Sequence, residues 1–262
     1  MIDLKGQAAI VTGSATGVGA AVARALAADG CNVVVNYTRS EKEAQETAQA
    51  CRDLGVEAIT VQANVAEDAD CRKLVDAALD KWGKLNHVVN NAGTTKFADQ
   101  SDLSALTAQD FQDIYAVNVI GPYQMAKWAE PHLRSAGKAS ITNVSSIAGV
   151  TGIGSSMAYA ASKGALNTMT MSLARSLGPE IRVNTICPGM IQSRWLENGM
   201  GKEKYDQLLA NQQRSLPLQR VSTPEDNAEI ILWLIKGSEL VTGEFVMVDG
   251  GAHLGFSLAM AR

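Results

Sequence analysis

The sequence predicts an α/β protein: one doubly wound parallel sheet with helices on both faces. Three observations carry that expectation. Short apolar runs alternate with longer helical stretches along all 262 residues, the pattern of repeated βα units joined by right-handed crossovers. Runs such as Asn32-Val-Val-Val-Asn36 are apolar almost throughout, as in strands covered on both faces. The first run ends in a glycine cluster that opens a helix, the context a phosphate-cradling loop requires. No composition shift, repeat or low-complexity stretch divides the chain, so residues 1–262 read as a single domain.

The elements justify this in order. Ala8-Ala-Ile-Val11 is the first strand, and Thr12-Gly13-Ser14-Ala-Thr16-Gly17-Val18-Gly19 leads from it into an alanine-rich helix, Ala20 to Asp29. Glycines let a backbone approach a pyrophosphate, and a helix N-terminus offers it unpaired N–H groups. An ordinary tight βα turn would look the same locally. The second strand, Asn32 to Asn36, ends where a carboxylate would hold the ribose 2′-OH of NAD. Here Asn36 is followed by Tyr37, Thr38 and Arg39. With no carboxylate to repel a phosphate and an arginine to pair with it, NADP(H) is favoured over NAD(H). A solvated loop charge is the competing reading of Arg39.

Helix Glu41–Leu54, strand Ala58–Gln62, helix Asp68–Trp82 and strand His87–Asn90 continue the alternation. Past the third strand, Asn64 and Val65 are candidates for the adenine side, with Asn64 alternatively a loop cap. Asn90-Asn91-Ala92-Gly93 closes the fourth strand with small residues that leave space for a ligand. A helical pattern from about Thr107 to Leu133 is interrupted near Asn118 and Gly121-Pro122, where proline removes a backbone donor. Asn118 then either positions a water or caps locally. Ser140 to Val144 is the fifth strand and delivers Ser145 and Ser146 to its carboxyl end, the edge where open parallel sheets bind ligands. A helix from about Ser155 to Leu177 carries Tyr159 and Lys163, and the sixth strand, Arg182 to Ile186, precedes Cys187-Pro188-Gly189. Residues 190–216 mix apolar and charged side chains and read either as a substrate lid or as a helix packed on the core. A helix starting at Pro224 and a strand from Glu244 to Val248 complete the alternation.

Tyr159 and Lys163 stand four residues apart, so on a helix they share a face. A free tyrosine titrates near ~10, and bringing it to about 7 takes roughly 4 kcal/mol of preference for the phenolate. A neighbouring Lys163 charge acts in that direction, and a cationic nicotinamide adds to it. A chance helix-surface pair is the alternative.

Composition removes several function classes. At 46% hydrophobic and 19% charged the chain can build a substantial core, and a net charge of −4 gives no basic surplus for nucleic acid. Cys31, Cys51, Cys71 and Cys187 show no C-x-x-C spacing, and His87, His132 and His253 are scattered. Free thiols and no metal site are expected. No signal peptide or membrane-length apolar run is evident, so a cytoplasmic protein is expected.

Thr12-Gly-x-x-x-Gly-x-Gly19, Asn90-Asn-Ala-Gly93, Ser146, Tyr159-x-x-x-Lys163 and Pro188-Gly189 occur in this order. Together they resemble the short-chain dehydrogenase/reductase family in its one-domain form, from Gly6 to Gly251. Val33-Val-Val-Asn-Tyr37 and Val241-Thr-Gly-Glu-Phe245 look most like 3-oxoacyl-(acyl-carrier-protein) reductase members. The resemblance implies a Rossmann-type catalytic domain. In it Tyr159 would be the acid/base, Lys163 would hold the nicotinamide ribose, Ser146 would orient the substrate oxygen and Asn118 would hold a relay water. Gly13, Ser14, Thr16, Gly17, Val18 and Gly19 would form the phosphate loop, with Gly13, Gly17 and Gly19 against the pyrophosphate. Tyr37, Thr38 and Arg39 would meet the adenosine ribose, Asn64, Val65, Asn91, Ala92 and Gly93 the adenosine side, and Pro188, Gly189, Ile191 and Ser193 the nicotinamide. Departures are Thr16, where NADP-using relatives carry a basic residue, Asn64 in place of Asp, and Ser193 in place of Thr.

The expected activity is NADP(H)-dependent reduction of a ketone, or oxidation of a secondary alcohol, with a 3-oxoacyl thioester among the candidates. The alternatives are an NAD-dependent sugar or polyol dehydrogenase and a non-catalytic nucleotide sensor. The intact set Asn118, Ser146, Tyr159 and Lys163 speaks against the sensor. The resemblance further implies a homotetramer, or a homodimer, through the 107–133 and 155–177 helices and through the last helix and strand.

Overall fold

A computed structural model describes residues 1–237 and 239–255. Seven strands form one parallel sheet in the order β3-β2-β1-β4-β5-β6-β7. They are β1 (Ala8–Val11), β2 (Asn32–Tyr37), β3 (Ala58–Gln62), β4 (His87–Asn90), β5 (Ala139–Val144), β6 (Ile181–Pro188) and β7 (Phe245–Val248). The order reverses between β1 and β4, which places a crevice at the carboxyl ends of those two strands.

Strand alternation feeds two cores. Ala9, Val11, Val33 and Val35 point to one face, and Ile10 and Val34 to the other, because successive side chains leave a strand on opposite sides. The first face is covered by α1 (Gly17–Ala28), α2 (Glu41–Asp53) and α10 (Pro224–Lys236), whose Leu26, Ala48 and Ile231 are buried there. The second is covered by α3 (Asp68–Trp82), α5 (Gly121–Ala136) and α7 (Met157–Leu177), through Leu74, Met125, Leu133 and Leu177. The capping box of Thr223 with Asp226, and Pro224 in the first turn, set where α10 starts.

Several boundaries differ from expectation by one or two residues, β6 among them at Ile181–Pro188, and three differences have a clear cause. α1 begins at Gly17 and not Ala20, so the glycine cluster is itself the first helical turn. β2 reaches Tyr37 because its pairing with β3 continues to Tyr37 opposite Gln62. The 107–133 pattern is two helices, α4 (Ala108–Tyr115) and α5, joined by a π turn at Ala116–Ile120, in which Gly121 N–H donates to the Ala116 carbonyl. Pro122 has no N–H to offer the Asn118 carbonyl four residues back, and the ladder widens there. Beyond β6 the chain forms α8 (Arg194–Met200) and α9 (Lys202–Ser215), and a short α6 (Ala148–Thr151) precedes α7. Among the described residues no helix is long and apolar enough to cross a membrane.

Candidate active site

A cleft of about 1560 Å³ runs along the carboxyl edge of the sheet. Most of the predicted site residues line it: Gly13, Thr16, Gly17 and Val18 beyond β1; Thr38 and Arg39 beyond β2; Asn64 and Val65 beyond β3; and Asn91, Ala92 and Gly93 beyond β4. Ser146, Tyr159, Lys163, Pro188, Gly189, Ile191 and Ser193 line its other part. Ser14, Gly19, Tyr37 and Asn118 are buried behind this surface and do not line it.

At the glycine loop, Thr16 is the N-cap of α1 but makes no side-chain cap bond, which leaves the first-turn N–H groups of that helix for a ligand. The loop is pinned from β4. Asn91 Nδ2 donates to the Thr12 and Gly13 carbonyls at 2.9 and 3.0 Å, and Thr12 Oγ1 accepts the Asn91 and Ala92 N–H groups. Gly19 packs against this clamp. A Cβ there would sit 2.5 Å from Asn91 Nδ2 and 2.6 Å from the Gly13 carbonyl. Ser14 is likewise scaffold: its hydroxyl donates to Val11 O at 2.6 Å and accepts the Asn36 N–H at 2.9 Å.

Asn36 corrects the argument built on the end of β2. Its Oδ1 accepts the Gly13 N–H at 2.8 Å, while its Nδ2 donates to the Tyr37, Val61 and Ala63 carbonyls at 3.0–3.3 Å. An amide that donates on one side and accepts on the other is a structural requirement here, so the missing carboxylate at 36 carries no cofactor signal. Tyr37 turns into the core with α2, which leaves Thr38 and the exposed Arg39 at the cleft. Arg39 forms no ion pair among the described residues. Asn64 makes the loop cap, its Oδ1 accepting the Ala66 N–H at 3.2 Å.

The chemistry-bearing end is built by α7. Ser156 caps that helix by accepting the Tyr159 N–H at 3.2 Å. One turn on, Lys163 is only 3% exposed, donates to Val144 O at 2.8 Å and meets no carboxylate among the described residues. Its ammonium lies 5.6 Å from the Tyr159 ring centroid. Burial pushes Lys163 down to about 8. Burial also pushes the Tyr159 phenol up to about 12, against the pull of a hydrogen bond with Ser146, with buried Cys187 adding to the rise. In the protein's own groups, then, burial sets the direction of the shift at Tyr159, opposite to the one the lysine and a cationic nicotinamide would give.

Asn118 sits in the π turn with its side chain fully engaged. Oδ1 accepts the Thr94 N–H at 2.8 Å, and Nδ2 donates to Thr94 O at 2.9 Å and Ser162 Oγ at 3.0 Å. In the 190–216 segment α8 has no buried residue, α9 has one, Tyr205, and Leu216 just beyond it is buried. The segment's Leu196, Met200, Lys204 and Leu208 face the cleft. Its base is tied to the body by the Ile191–Ser222 bridge and by Gln192, which donates to Ser222 O and Val221 O.

Residues 13–253 match a family model described as enoyl-(acyl carrier protein) reductase. A protein of Streptomyces violaceoruber, named as ketoacyl reductase 2 of the granaticin polyketide synthase, is 43% identical over 94% of this chain and 96% of its own. Versicolorin reductase of Emericella nidulans is 34% identical over 95% of this chain and 96% of its own. The crystal structure of a short-chain dehydrogenase/reductase from Burkholderia xenovorans is 38% identical, with a TM-score of 0.89 over 95% of this chain and 98% of that one. The chain belongs to the short-chain dehydrogenase/reductase family.

As a short-chain dehydrogenase/reductase it is an oxidoreductase that acts on a ketone or alcohol with a nicotinamide cofactor, NAD(H) or NADP(H). The residues fit that cofactor. The uncapped N-terminus of α1 suits a pyrophosphate, and a buried ammonium with no carboxylate suits ribose hydroxyls. In this short-chain dehydrogenase/reductase, several positions gave little sequence signal. Thr94 and Ser162 hold Asn118, and Ser145 Oγ donates to the Lys163 carbonyl at 3.1 Å. Phe97 and Trp195 reach the cleft beside Tyr159. Of these, Ser145 was marked in advance by its place at a strand's carboxyl end, and Trp195 by its place among the apolar residues of the 190–216 segment.

Proposed function

We propose that this enzyme transfers hydride between NADP(H) and a ketone or secondary alcohol, with Tyr159 as acid/base and a 3-oxoacyl thioester or polyketide-derived ketone as substrate. The observation that carries this reading is the wall shared by Ser146, Tyr159 and Lys163 at the end of the same cleft that holds the glycine loop. When bound, the nicotinamide supplies or accepts the hydride, and its oxidised form adds positive charge beside the phenol. A phenol that stays protonated at neutral pH is ready to donate to a carbonyl oxygen, the proton transfer that reduction requires. Ser146 orients that oxygen and stabilises charge on it. Lys163 holds the ribose and, when charged, opposes the rise in the phenol's pKa. The Asn118 carbonyl, lacking a donor from Pro122, anchors a water that returns protons through Lys163. Thr38 and Arg39 take the adenosine ribose and its 2′-phosphate, and the relatives' names support a ketone on a polyketide or acyl chain.

The decisive experiment is NADPH and NADH oxidation against a panel: a 3-oxoacyl thioester, an enoyl thioester, a diketone, a keto-sugar and an aldehyde. The expected result is turnover of the ketones with NADPH. Activity only on the sugar with NADH would overturn both the cofactor and the substrate class. Tyr159→Phe is expected to bind cofactor normally and lose turnover. Arg39→Ala is expected to weaken NADPH about 10- to 100-fold with little change for NADH, the worth of a charged hydrogen bond. Equal losses for both cofactors would remove Arg39 from the phosphate. We further propose a homotetramer, with exposed Phe111, Tyr123 and Met171 on α4, α5 and α7 and exposed Trp233 on α10 as the apolar faces to be covered. A monomer-sized boundary in sedimentation at micromolar concentration would rule it out.

A further inference from the structure

Aromatic residues are scarce in this chain, with 4 Phe, 4 Trp and 5 Tyr, yet three from separate elements meet at the reacting end of the cleft. Phe97 comes from the loop after β4, Tyr159 from α7 and Trp195 from the first turn of α8. The Phe97 and Trp195 ring centroids are 5.8 Å apart with planes inclined at 51°. Those of Trp195 and Tyr159 are 6.2 Å apart at 44°. Both are ordinary tilted aromatic contacts. Rings this close leave no slot between them and form one continuous wall that ends at the Tyr159 phenol.

Core packing does not explain the wall. Trp195 is 44% exposed and α8 buries nothing, so the indole turns its free surface to the cleft. The lid helix is shaped around the arrangement. Its Gly199 backbone lies against the Phe97 ring, where any Cβ would run into ring atoms. Met200 and Leu196 line the cleft from the same helix, and a thioether beside aromatic rings is an adaptable, polarisable contact.

We propose that Phe97 and Trp195 are specificity-determining residues that select ring ketones fused to a flat aromatic ring over wholly aliphatic ones, a substrate class that rests on the ketone-reductase reading above. Such a ketone lies along the wall with its carbonyl at the Tyr159 hydroxyl. Hydride from the reduced nicotinamide adds to the carbonyl carbon as the C=O π pair moves to oxygen. The Tyr159 hydroxyl protonates that oxygen, and solvent restores the Tyr159 proton. The products are the secondary alcohol and the oxidised nicotinamide. Each aromatic pair formed adds about 2- to 12-fold beyond the burial of area that an aliphatic ring also gains. A rigid ring ketone also gives up less rotational freedom than an acyl chain.

The test compares 2-tetralone with trans-2-decalone, which share one carbon skeleton and differ in aromaticity. With saturating reduced cofactor, wild-type kcat/KM is expected to favour 2-tetralone about 10-fold or more. Trp195→Leu and Phe97→Leu are each expected to cut that ratio about 3-fold or more, and Trp195→Phe to keep most of it. A wild-type ratio near one, or a ratio unchanged in both leucine variants, overturns the proposal. If neither ketone is turned over, the ketone-reductase reading is what fails. Tryptophan fluorescence then decides the wall. Saturable quenching by 2-tetralone that is lost in Trp195→Phe supports it, and no such quenching overturns it.

Discussion

Asn36 shows what a single residue's surroundings decide. Read from the sequence, it stands where an acid would choose between cofactors. Strand alternation turns it towards Gly13, Val61 and Ala63, where its amide must accept once and donate to carbonyls. A carboxylate there would face those carbonyls with lone pairs. Asn36→Asp is therefore expected to destabilise the fold by about 2–4 kcal/mol, from buried acceptors left unpaired, without creating a preference for NADH. A denaturant melt together with the NADPH/NADH ratio checks this, and a clean switch to NADH would restore the sequence argument. Gly13, Ser146, Tyr159 and Lys163 were legible because their chemistry allows few substitutes at that spacing. The pKa of Tyr159 was not, since the sequence names its charged neighbour but not how far water is excluded. The sign follows from burial. With the phenol pushed up to about 12, the base form needed for alcohol oxidation grows as pH rises, whereas reduction uses the acid form present at neutral pH. Oxidation is thus expected to quicken from pH 7 to pH 10 in a kcat/KM profile, while reduction does not.

Among the elements, every strand of the sheet was legible, because covered strands need β-branched runs that little else in the chain imitates. The helix over the cleft was harder. The interruption near Asn118 and Gly121-Pro122 was legible, but not that the ladder opens there into a π turn between two helices. The 190–216 segment was open between lid and core helix because an amphipathic helix buries one face against any apolar surface, whether core or substrate. With one buried residue across α8 and α9, little holds the segment down beyond its base. Limited proteolysis is expected to cut first within 194–215, and reduced cofactor with a bound ketone to slow that cut several-fold. First cuts elsewhere, or none slowed by ligands, would mean the segment does not close on its ligands.

Across the whole molecule, the two edges of the sheet do different work. At the amino edge His87 is buried between Ser140 Oγ at 2.8 Å and Gln7 Oε1 at 2.6 Å, so it ties β4 to β5 and to the start of β1. Burial pushes this imidazole from 6.5 down to about 3. A folded-state pKa below the unfolded one means that the unfolded chain takes up the proton first. The stabilisation is complete above about 6.5 and lost as pH falls towards 3, with about 2 kcal/mol gone between pH 7 and pH 5. Denaturant unfolding at the two pH values, compared with His87→Gln, measures it, and equal pH slopes for the two proteins would show that His87 is not the group responsible. The tie between β1 and β4 had no sequence signature, because it joins residues eighty positions apart. At the opposite edge, the 190–216 segment is held mainly at its two ends: the Ser222 hydroxyl on the Met190 carbonyl, a bridge at Ile191 and the Gln192 contacts at one, and buried Leu216 at the other, with Tyr205 between them. A part attached at so few points behaves as an interchangeable cassette. Selection, or a protein engineer, can trade it between relatives and inherit a new substrate range while the framework that keeps the chain folded stays untouched.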